Sequence, residues 1–347
     1  MKKVRIDENS MKHIAKRNLV EILTEKEFND LISRSFFFYY GTAPTGPFHI
    51  GYVIPLVKFV DFVRIGGKGI ILVADWHAYL DDRKTPWESM EKRSKYYYLA
   101  IKEFLSQFID VDEVKFVFGH EFQRKPEYTE DLIRASGLVT VKRAIRAASE
   151  VVRIKENPHV SELIYPIMQC LDIKHLGIDM AIGGVDQRHI YALAREILPQ
   201  MGYKKGVYAF TPIITALTGS GDKMSASKPN TTITVHDSFE TIKQKLKKAY
   251  CPWGIEESNP ILELYRYIVF PLFGGVKIRK TKRNKETDYR SYEELLSDFK
   301  NKRVHPIDLK ETLADYIWKI VEPIQEELSK NKTVKDVLSE YKRFGIM

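Results

Sequence analysis

Short apolar runs alternate with long helical patterns along the first 235 residues, and this alternation limits the possible folds most strongly. Each run is rich in β-branched or aromatic side chains and bounded by glycine, proline or charge, which is typical of buried strands. Helical patterns at Val53–Val63 and Trp87–Phe108 separate the first three runs. The alternation predicts an α/β fold with a doubly wound parallel sheet, helices on both faces, and ligands beyond the carboxyl ends of the strands. The five runs are Phe36–Tyr40, Ile70–Ala74, Val114–Phe118, Met180–Ile182 and Tyr208–Ile214.

From about His236 the strand signals fade and helix-start signals take over. Ser238 precedes an amphipathic stretch, Ser291 precedes two glutamates, and Pro306 follows His305. A chain of 347 residues has room for two domains. We therefore predict an α/β domain over residues 1–235 and a mostly α-helical domain over residues 236–347.

Composition excludes several classes of protein. With 44% hydrophobic and 29% charged residues, the chain has enough apolar material for large cores and is not disordered. Its longest uncharged stretch in the second half, Tyr267–Val276, is too short to span a membrane. The N-terminus has no apolar core of the kind found in a secretory signal, so we expect a cytoplasmic protein. The two cysteines, Cys170 and Cys251, are too few for a disulfide framework and lack metal-ligand spacing, so both are expected to be buried free thiols.

The net charge of +9 favours a polyanionic partner. Six basic side chains fall within the nine residues from Lys277 to Lys285, and we call them the basic cluster. The cluster could be a nucleic-acid contact or a solvated surface loop.

The segment Tyr39–Tyr52 leaves an aromatic strand, crosses a Gly/Pro/Thr loop and enters a helix. Free backbone N–H groups and the helix dipole make such an entrance a phosphate site. His49 could donate to a phosphoryl oxygen, and Gly51 would let a flat ring approach the backbone. A Gly/Pro turn followed by a structural histidine is the alternative.

The segment Gly219–Lys228 is a loop rich in glycine and hydroxyl side chains, with lysines at positions 223 and 228. A loop of this kind can close over a polyphosphate and offset the charge that develops on a leaving pyrophosphate. A flexible surface loop is the alternative.

Together the two segments resemble the HIGH and KMSKS signatures of class I aminoacyl-tRNA synthetases, in the right order and about 170 residues apart. The blocks ILVADWHAYLDD, YPIMQCLDIKHLGIDMAIGGVDQR, KKAYC and VHPIDLK are similar to those of the tyrosyl enzymes of the archaeal and eukaryotic type. The resemblance spans roughly residues 36–325. Two positions depart from the signatures: Tyr52 replaces the last histidine of HIGH, and Ala226 replaces the second lysine of KMSKS.

This resemblance implies a Rossmann-like catalytic domain, an anticodon-binding helical domain, and a tyrosine site. Tyr39 and Asp172 would meet the phenolic hydroxyl of tyrosine, and His77 would lie beside its ring. Asp172 could instead be a helix-surface carboxylate, and His77 a core histidine. Tyr165, Gln169 and Asp172 are spaced i, i+4 and i+7, on one helix face. The α-amino group would be held by Tyr165, Gln169 and Gln187.

The resemblance also implies ATP as a substrate, with Mg²⁺ accompanying it and no tightly bound prosthetic group or protein metal site. His49 and Lys223 would stabilise the transition state, with Lys228 a possible substitute for the missing lysine. The ATP-binding positions would be Gly41, Thr45, His49, Gly51, Gly184, Asp186, Lys223, Met224 and Ser225.

The implied macromolecular partner is the tyrosine-accepting tRNA. Arg146 and Arg188 match positions near the first acceptor base pair, and Arg283 falls where a residue stacks on the anticodon. Asp308 matches the carboxylate that reads the anticodon guanine, although it could equally supply N-terminal helix charge. The resemblance further implies a homodimer, formed through a connective segment at about residues 120–160.

Three other functions remain open on the sequence. A tryptophanyl-tRNA synthetase shares the fold and signature loops, but the pairing of Tyr39 with Asp172 favours a phenol. Joint retention of Tyr39, His49, Asp172, Gln187 and Lys223 argues against an inactive tRNA-binding paralogue. A small-molecule nucleotidyltransferase would have no use for the helical domain or the basic cluster.

Overall fold

The computed structural model describes residues 8–152, 156–219, 221, 223–224, 231–280 and 285–347. Contacts divide the described chain into two units. The first comprises the residues up to Thr45, Lys58–Tyr98 and Ile109–Pro212; the second comprises Gly46–Val57, Leu99–Phe108 and the residues from Ile213 onward. Because this division reflects contacts alone, the domain boundary at residues 235 and 236 stays a prediction.

A six-stranded sheet forms the centre of the first unit. Its order is β1-β6-β5-β2-β3-β4, and all neighbouring strands are parallel except β1 and β6. The parallel strands confirm the five predicted runs, with ends that differ by at most three residues. Sequence reasoning missed β1, which has only three residues and includes a charged one. The strands are β1 (Glu21–Leu23), β2 (Phe37–Thr42), β3 (Lys68–Val73), β4 (Lys115–Phe118), β5 (Met180–Gly184) and β6 (Val207–Thr211).

The strand order reverses between β2 and β5. From β2 the chain adds β3 and β4 on one side, and later places β5 and β6 on the other. In doubly wound sheets, ligands bind beyond the carboxyl ends of the strands at this reversal. Thr42 ends β2 and Gly184 ends β5, so the residues near these two ends are positioned to contact a ligand.

Helices connect the strands. The pattern predicted over Val53–Val63 is α3, whereas that over Trp87–Phe108 divides into a 3₁₀ turn at Trp87–Ser89 and α5. The helices up to β6 are α1 (Glu8–Lys16), α2 (Glu25–Ile32), α3 (Val53–Arg64), α4 (Asp75–Leu80), α5 (Met90–Ser106), α6 (Gly119–Gln123), α7 (Pro126–Ser136), α8 (Val141–Ala148), α9 (Val160–His175) and α10 (Arg188–Gln200). Further 3₁₀ turns are Ile50–Tyr52, Val111–Glu113 and Val185–Gln187.

Successive residues of β2 point to opposite faces of the sheet, and both faces are covered. The Phe38 ring packs against Phe59 and Phe62 of α3, with ring centroids 4.8 and 5.4 Å apart. Tyr39 instead joins a buried cluster that includes Tyr165 of α9 and Tyr191 of α10. The prediction of a doubly wound α/β fold is therefore confirmed.

The second unit is mostly helical, but it also contains a hairpin that sequence reasoning missed. Strands β7 (Val276–Lys280) and β8 (Lys285–Tyr289) pair antiparallel. The basic cluster therefore lies partly on paired strands rather than in a plain surface loop; its Lys282 and Arg283 fall outside the described residues. The helices after β6 are α11 (Phe239–Lys248), α12 (Pro260–Leu264), α13 (Phe270–Phe273), α14 (Tyr292–Lys300), α15 (Pro306–Ser329) and α16 (Lys332–Arg343).

The helix-start signals in the second unit are confirmed by side-chain caps. Ser238 accepts from the backbone N–H of Thr241 at 3.2 Å, and Ser291 from that of Glu294 at 3.3 Å. His305, ahead of Pro306, caps α15 through Nδ1, which accepts from the N–H of Ile307 at 3.2 Å. A π-helical turn at Tyr265–Val269 lies between α12 and α13.

Both cysteines are free thiols, as predicted, but only Cys170 is buried, since Cys251 is partly exposed. Within the described ranges, no helix is both long and apolar enough to cross a membrane.

Candidate functional site

Tyr39 is the third of the six residues of β2, one of the two strands between which the strand order reverses. Its side chain is buried, and its hydroxyl oxygen is 3.2 Å from that of Tyr191. Burial raises the pKa of Tyr39 well above its ordinary value, so the hydroxyl keeps its proton. The position expected to meet a substrate phenol therefore carries a neutral hydroxyl.

Asp172 lies on α9 and is only 1% exposed, which excludes the helix-surface alternative. Gln123 Nε2 and the Tyr128 hydroxyl donate to its Oδ1 at 2.9 and 2.7 Å. Burial raises the pKa of Asp172 to about 7, while these two hydrogen bonds oppose the rise. The carboxyl group is therefore held in place by neutral donors and titrates near neutral pH.

His77 lies beside this carboxyl group at 2% exposure. Its Nε2 is 3.7 Å from Asp172 Oδ2, and its ring meets that of Tyr165 edge-on at 4.8 Å. Burial lowers the pKa of His77 to about 4, so the imidazole is neutral. His77 thus contacts two predicted pocket residues, although it is also as buried as a core histidine.

The predicted helix face carries Tyr165, Gln169 and Asp172 on α9. Gln169 Nε2 donates to Gln187 Oε1 at 2.8 Å, which connects α9 to the 3₁₀ turn after β5. The Oε1 of Gln169 is buried without a partner in the described part of the chain. A buried amide oxygen without a partner requires an explanation, and a bound ammonium group would supply one.

The structure brings the predicted tyrosine-binding residues together in the first unit, with partners that sequence reasoning missed. Gln123 and Tyr128 come from the segment expected to be connective, and Tyr191 follows Gln187 by one helical turn. Tyr191 could have been found from its i+4 spacing to Gln187. Gln123 and Tyr128 gave no such signal, because only tertiary packing places them on Asp172.

Gly184 and Asp186 also lie where the sheet order reverses. Gly184 ends β5, and Asp186 lies in the 3₁₀ turn that follows. Arg188 begins α10, where its Nε donates to both carboxylate oxygens of Glu21 at 2.8 Å. Arg146, the other residue matched to the acceptor stem, is exposed on α8.

Gly41 and Thr45 complete the predicted ATP positions of the first unit. Gly41 is within β2, and a Cβ there would come 3.1 Å from the Tyr39 ring. The buried side chain of Arg93 lies next to the Gly/Pro/Thr loop that follows β2. Its Nη1 is 3.4 Å from the carbonyl oxygen of Thr45 and 2.9 Å from that of Lys84.

His49, in the second unit, precedes the 3₁₀ turn at Ile50–Tyr52. The Gly51 backbone N–H donates to its Nδ1 at 3.2 Å, which assigns the ring proton to Nε2. Burial lowers the pKa of His49 to about 4, so it is a neutral donor at physiological pH. A Cβ on Gly51 would lie 2.8 Å from the His49 ring, so the flat ring that this glycine admits is the histidine itself.

Within the second unit, the segment that carries His49 pairs with residues that follow the second signature segment in the sequence. His49 forms a β-bridge with Thr234, and the Ile50 N–H donates to the Ile233 carbonyl at 2.8 Å. Lys223 is exposed and bridges to Thr215, and Met224 is buried. Ser225 and Lys228 lie outside the described residues.

Asp308 lies in the first turn of α15, after the cap residue His305. Beside it, the Trp253 ring meets the His305 ring edge-on at 4.9 Å, and the indole N–H donates to the Val304 carbonyl at 2.8 Å. Trp253 is 42% exposed. Arg283 is not among the described residues.

Among the described residues, no group of three or more His, Cys, Asp or Glu side chains could hold a metal ion. The residues that surround Asp172 and Gln169 are suited to a polar organic ligand instead. They bring hydroxyl, carboxyl and amide groups together, and in the described part of the chain the hydrogen-bond donors to Asp172 are the neutral side chains of Gln123 and Tyr128.

Comparisons with known proteins agree with this chemistry. Residues 32–322 match the family described as tRNA synthetases class I (W and Y). The chain is 41% identical to a tyrosine–tRNA ligase of Archaeoglobus fulgidus, over 90% of this chain and 95% of that one. It is 38% identical to the cytoplasmic tyrosine–tRNA ligase of Saccharomyces cerevisiae, over 95% and 87% of the two chains. A crystal structure of tyrosyl-tRNA synthetase complexed with L-tyrosine from Archaeoglobus fulgidus superposes with a TM-score of 0.87, at 38% identity, over 93% of this chain and 99% of that one.

The fold, the two signature segments and these matches define an aminoacyl-tRNA synthetase of class I. Within that class, the chain belongs to the tyrosine–tRNA ligases of the archaeal and eukaryotic type. The tryptophanyl-tRNA synthetase of Aeropyrum pernix matches with a TM-score of 0.69 at 18% identity, which shows a shared fold only.

The raised pKa of Asp172 has a consequence for stability. Between pH 4 and pH 7 the folded chain keeps a proton that the unfolded chain, with an ordinary pKa of 3.8, releases. The stability contributed by this group is therefore greatest at low pH and is lost as the pH rises from about 4 to about 7. Asp172→Asn removes the titration, so its unfolding free energy should improve relative to the parent across this range. Urea unfolding of both proteins at several pH values measures this, and a pH-independent difference would contradict it.

Proposed function

We propose that the chain activates tyrosine with ATP and transfers it to the tyrosine-accepting tRNA, with the Tyr39–Asp172 pocket selecting tyrosine. The observation that carries this proposal is a pair of buried groups in the first unit: the Asp172 carboxyl group and the neutral Tyr39 hydroxyl, whose pKa is raised by burial and, less strongly, by Tyr191 and Asp172. The two groups can accept from and donate to one phenolic hydroxyl. Phenylalanine would not supply this additional hydrogen-bond partner, and a site built to hydrogen-bond a substrate hydroxyl gives discrimination of about 10⁴ to 10⁵ without editing.

The rest of the pocket fits the other end of tyrosine. Gln169 and Gln187 are joined by a hydrogen bond, and Gln169 keeps a buried acceptor oxygen. Together with Tyr165 they are proposed to hold the α-amino group, while His77 packs beside the ring. Gly184 and Asp186 are proposed to meet the adenosine, because they lie at the reversal of strand order where nucleotides bind.

The test of this function is amino-acid-dependent exchange between pyrophosphate and ATP. Tyrosine should stimulate exchange in the parent, and Asp172→Ala should lose most discrimination against phenylalanine. Asp30→Ala, which removes an exposed carboxylate from α2, serves as the matched control and should leave the ratio unchanged. Exchange that responds to tryptophan and not to tyrosine would contradict the proposed substrate, and unchanged discrimination in Asp172→Ala would contradict the role of this residue.

Activation needs no protein nucleophile, since the carboxylate of tyrosine attacks the α-phosphorus of ATP and pyrophosphate leaves. Catalysis then consists of positioning and charge stabilisation. His49 Nε2–H is proposed to donate to a phosphoryl oxygen, and Lys223 to offset charge on the departing pyrophosphate. Gly41, Thr45, Gly51, Met224 and Ser225 are proposed to line the ATP site. Mg²⁺ would arrive with the phosphates of ATP as part of the substrate. Lys228 remains a proposed substitute for the lysine lost at Ala226.

Gly51→Ala tests the orientation of His49. The added Cβ would lie 2.8 Å from the imidazole ring, so the ring must move. We expect the rate constant of tyrosine activation to fall by about 10- to 100-fold, with little change in the KM for tyrosine. Gly137→Ala is the control, because Gly137 has an ordinary φ of −68° and its Cβ would be 3.4 Å from its nearest neighbour. An equal effect of both variants would exclude a specific role for the ring.

For tRNA, Asp308 is proposed to accept from the N–H groups of an anticodon guanine, and Arg146 and Arg188 to contact the acceptor end. Arg283 and the rest of the basic cluster are proposed to contact the anticodon arm, and its lysines would meet the phosphate backbone. The position of Asp308 in the first turn of α15 is compatible with this role and also with stabilisation of the helix dipole.

Asp308→Ala separates these two roles. If Asp308 reads a base, aminoacylation should weaken by about 1 to 3 kcal/mol in kcat/KM for tRNA, while tyrosine-dependent exchange stays at the parent level. If the carboxylate serves only the helix, the unfolding midpoint should fall and the two reactions should decrease together. Glu311→Ala, one turn further along α15, controls for loss of an acidic side chain on that helix.

We also propose a homodimer and a cytoplasmic location. Three large apolar side chains, Ile133, Val141 and Val160, are each more than 60% exposed in or beside the segment expected to mediate dimerisation. A monomer in light scattering would contradict the dimer. The eukaryotic relatives carry the designation cytoplasmic, which supports the proposed location.

A further inference from the structure

Tyr191 lies on α10 behind the pocket, one helical turn beyond Gln187. Its ring is 2% exposed and stacks on the Tyr208 ring, with centroids 4.7 Å apart and planes 11° from parallel. On another side, a Cβ at Gly183 would come within 2.9 Å of a Tyr191 ring carbon. Gly183, the next-to-last residue of β5, thus lets the ring lie against the backbone, and packing fixes the position of the Tyr191 hydroxyl.

That hydroxyl reaches the phenol end of the proposed pocket. It lies 3.2 Å from the Tyr39 hydroxyl, a hydrogen-bonding distance at which either group can donate. Tyr191 is therefore a direct partner of the residue that is proposed to meet the substrate phenol.

A phenolic hydroxyl has one proton to donate and can accept from other donors. When Tyr191 donates to the oxygen of Tyr39, the proton of Tyr39 is left for another acceptor. The Tyr39 proton is then directed at the remaining polar partner, the oxygen of a bound phenol, whose own proton is accepted by Asp172. Without Tyr191, the hydroxyl of Tyr39 could rotate, and its donation to the substrate would no longer be prearranged.

We propose that Tyr191 is a positioning residue that orients the hydroxyl of Tyr39 and thereby contributes to the selection of tyrosine over phenylalanine. This inference rests on the proposed role of Tyr39 and Asp172 as the phenol-binding pair. Tyr191 would then affect the activation of tyrosine and not that of phenylalanine, whereas a purely structural residue would affect both.

Tyr191→Phe keeps the stacked ring and removes only the hydroxyl. Tyr208→Phe is the matched control, because it belongs to the same stack and its buried hydroxyl has no hydrogen-bond partner in the described part of the chain. Pyrophosphate exchange gives kcat/KM for tyrosine and for phenylalanine. Tyr191→Phe should lower the value for tyrosine by roughly 3- to 10-fold, as loss of one hydrogen bond predicts, and leave phenylalanine and the KM for ATP unchanged. Tyr208→Phe should leave all three unchanged.

Equal losses for tyrosine and phenylalanine, or an unchanged ratio in Tyr191→Phe, would overturn the inference. Equilibrium dialysis with each amino acid, alongside thermal unfolding, gives the same comparison if activity is low. Tyr39→Phe distinguishes a failure of the role of Tyr191 from a failure of the proposed phenol site. If it lowers discrimination and Tyr191→Phe does not, only the role of Tyr191 is wrong; if Tyr39→Phe also leaves discrimination unchanged, the proposed phenol site is wrong and this inference with it.

Discussion

A carboxyl group removed from water must have hydrogen-bond donors around it, and in this protein Asp172 sets that requirement. Gln123 and Tyr128 satisfy it from α6 and α7. On α7, Asp131 accepts from Lys174 of α9 at 2.9 Å and from Tyr203, just after α10, at 2.8 Å. The helices on this face of the sheet are therefore arranged so that the Asp172 side chain can stay buried, either as a neutral carboxyl group or as a hydrogen-bonded carboxylate.

Sequence patterns predicted the parts of the molecule that local physics controls. Strand β2 was recognisable because its residues are aromatic and bounded by charge and glycine, and α11, α14 and α15 because their cap residues suit the start of a helix. The face that carries Tyr165, Gln169 and Asp172 followed from helical periodicity alone. The assignment of these residues to tyrosine came from the resemblance and not from periodicity.

The features that were missed depend on contacts between distant segments. Gln123 is no different in sequence from a surface glutamine, and only the tertiary structure brings its amide to Asp172 on α9. Strand β1 is short and owes its existence to the free edge of β6. The β7–β8 hairpin has alternating charged residues, a pattern that is also typical of a solvated loop. Backbone pairing holds the two strands together, so burial of both faces is not needed.

The bridge between His49 and Thr234 also affects when the protein can become active. The segment with His49 belongs by its contacts to the second unit, and its backbone partners, Ile233 to Val235, are synthesised much later. As a chain leaves the ribosome, the sheet through β6 can form before those partners exist. The histidine thus acquires its final surroundings only after the region beyond β6 has emerged, which means that a nascent chain could hold an almost complete tyrosine pocket before it has the machinery to use ATP.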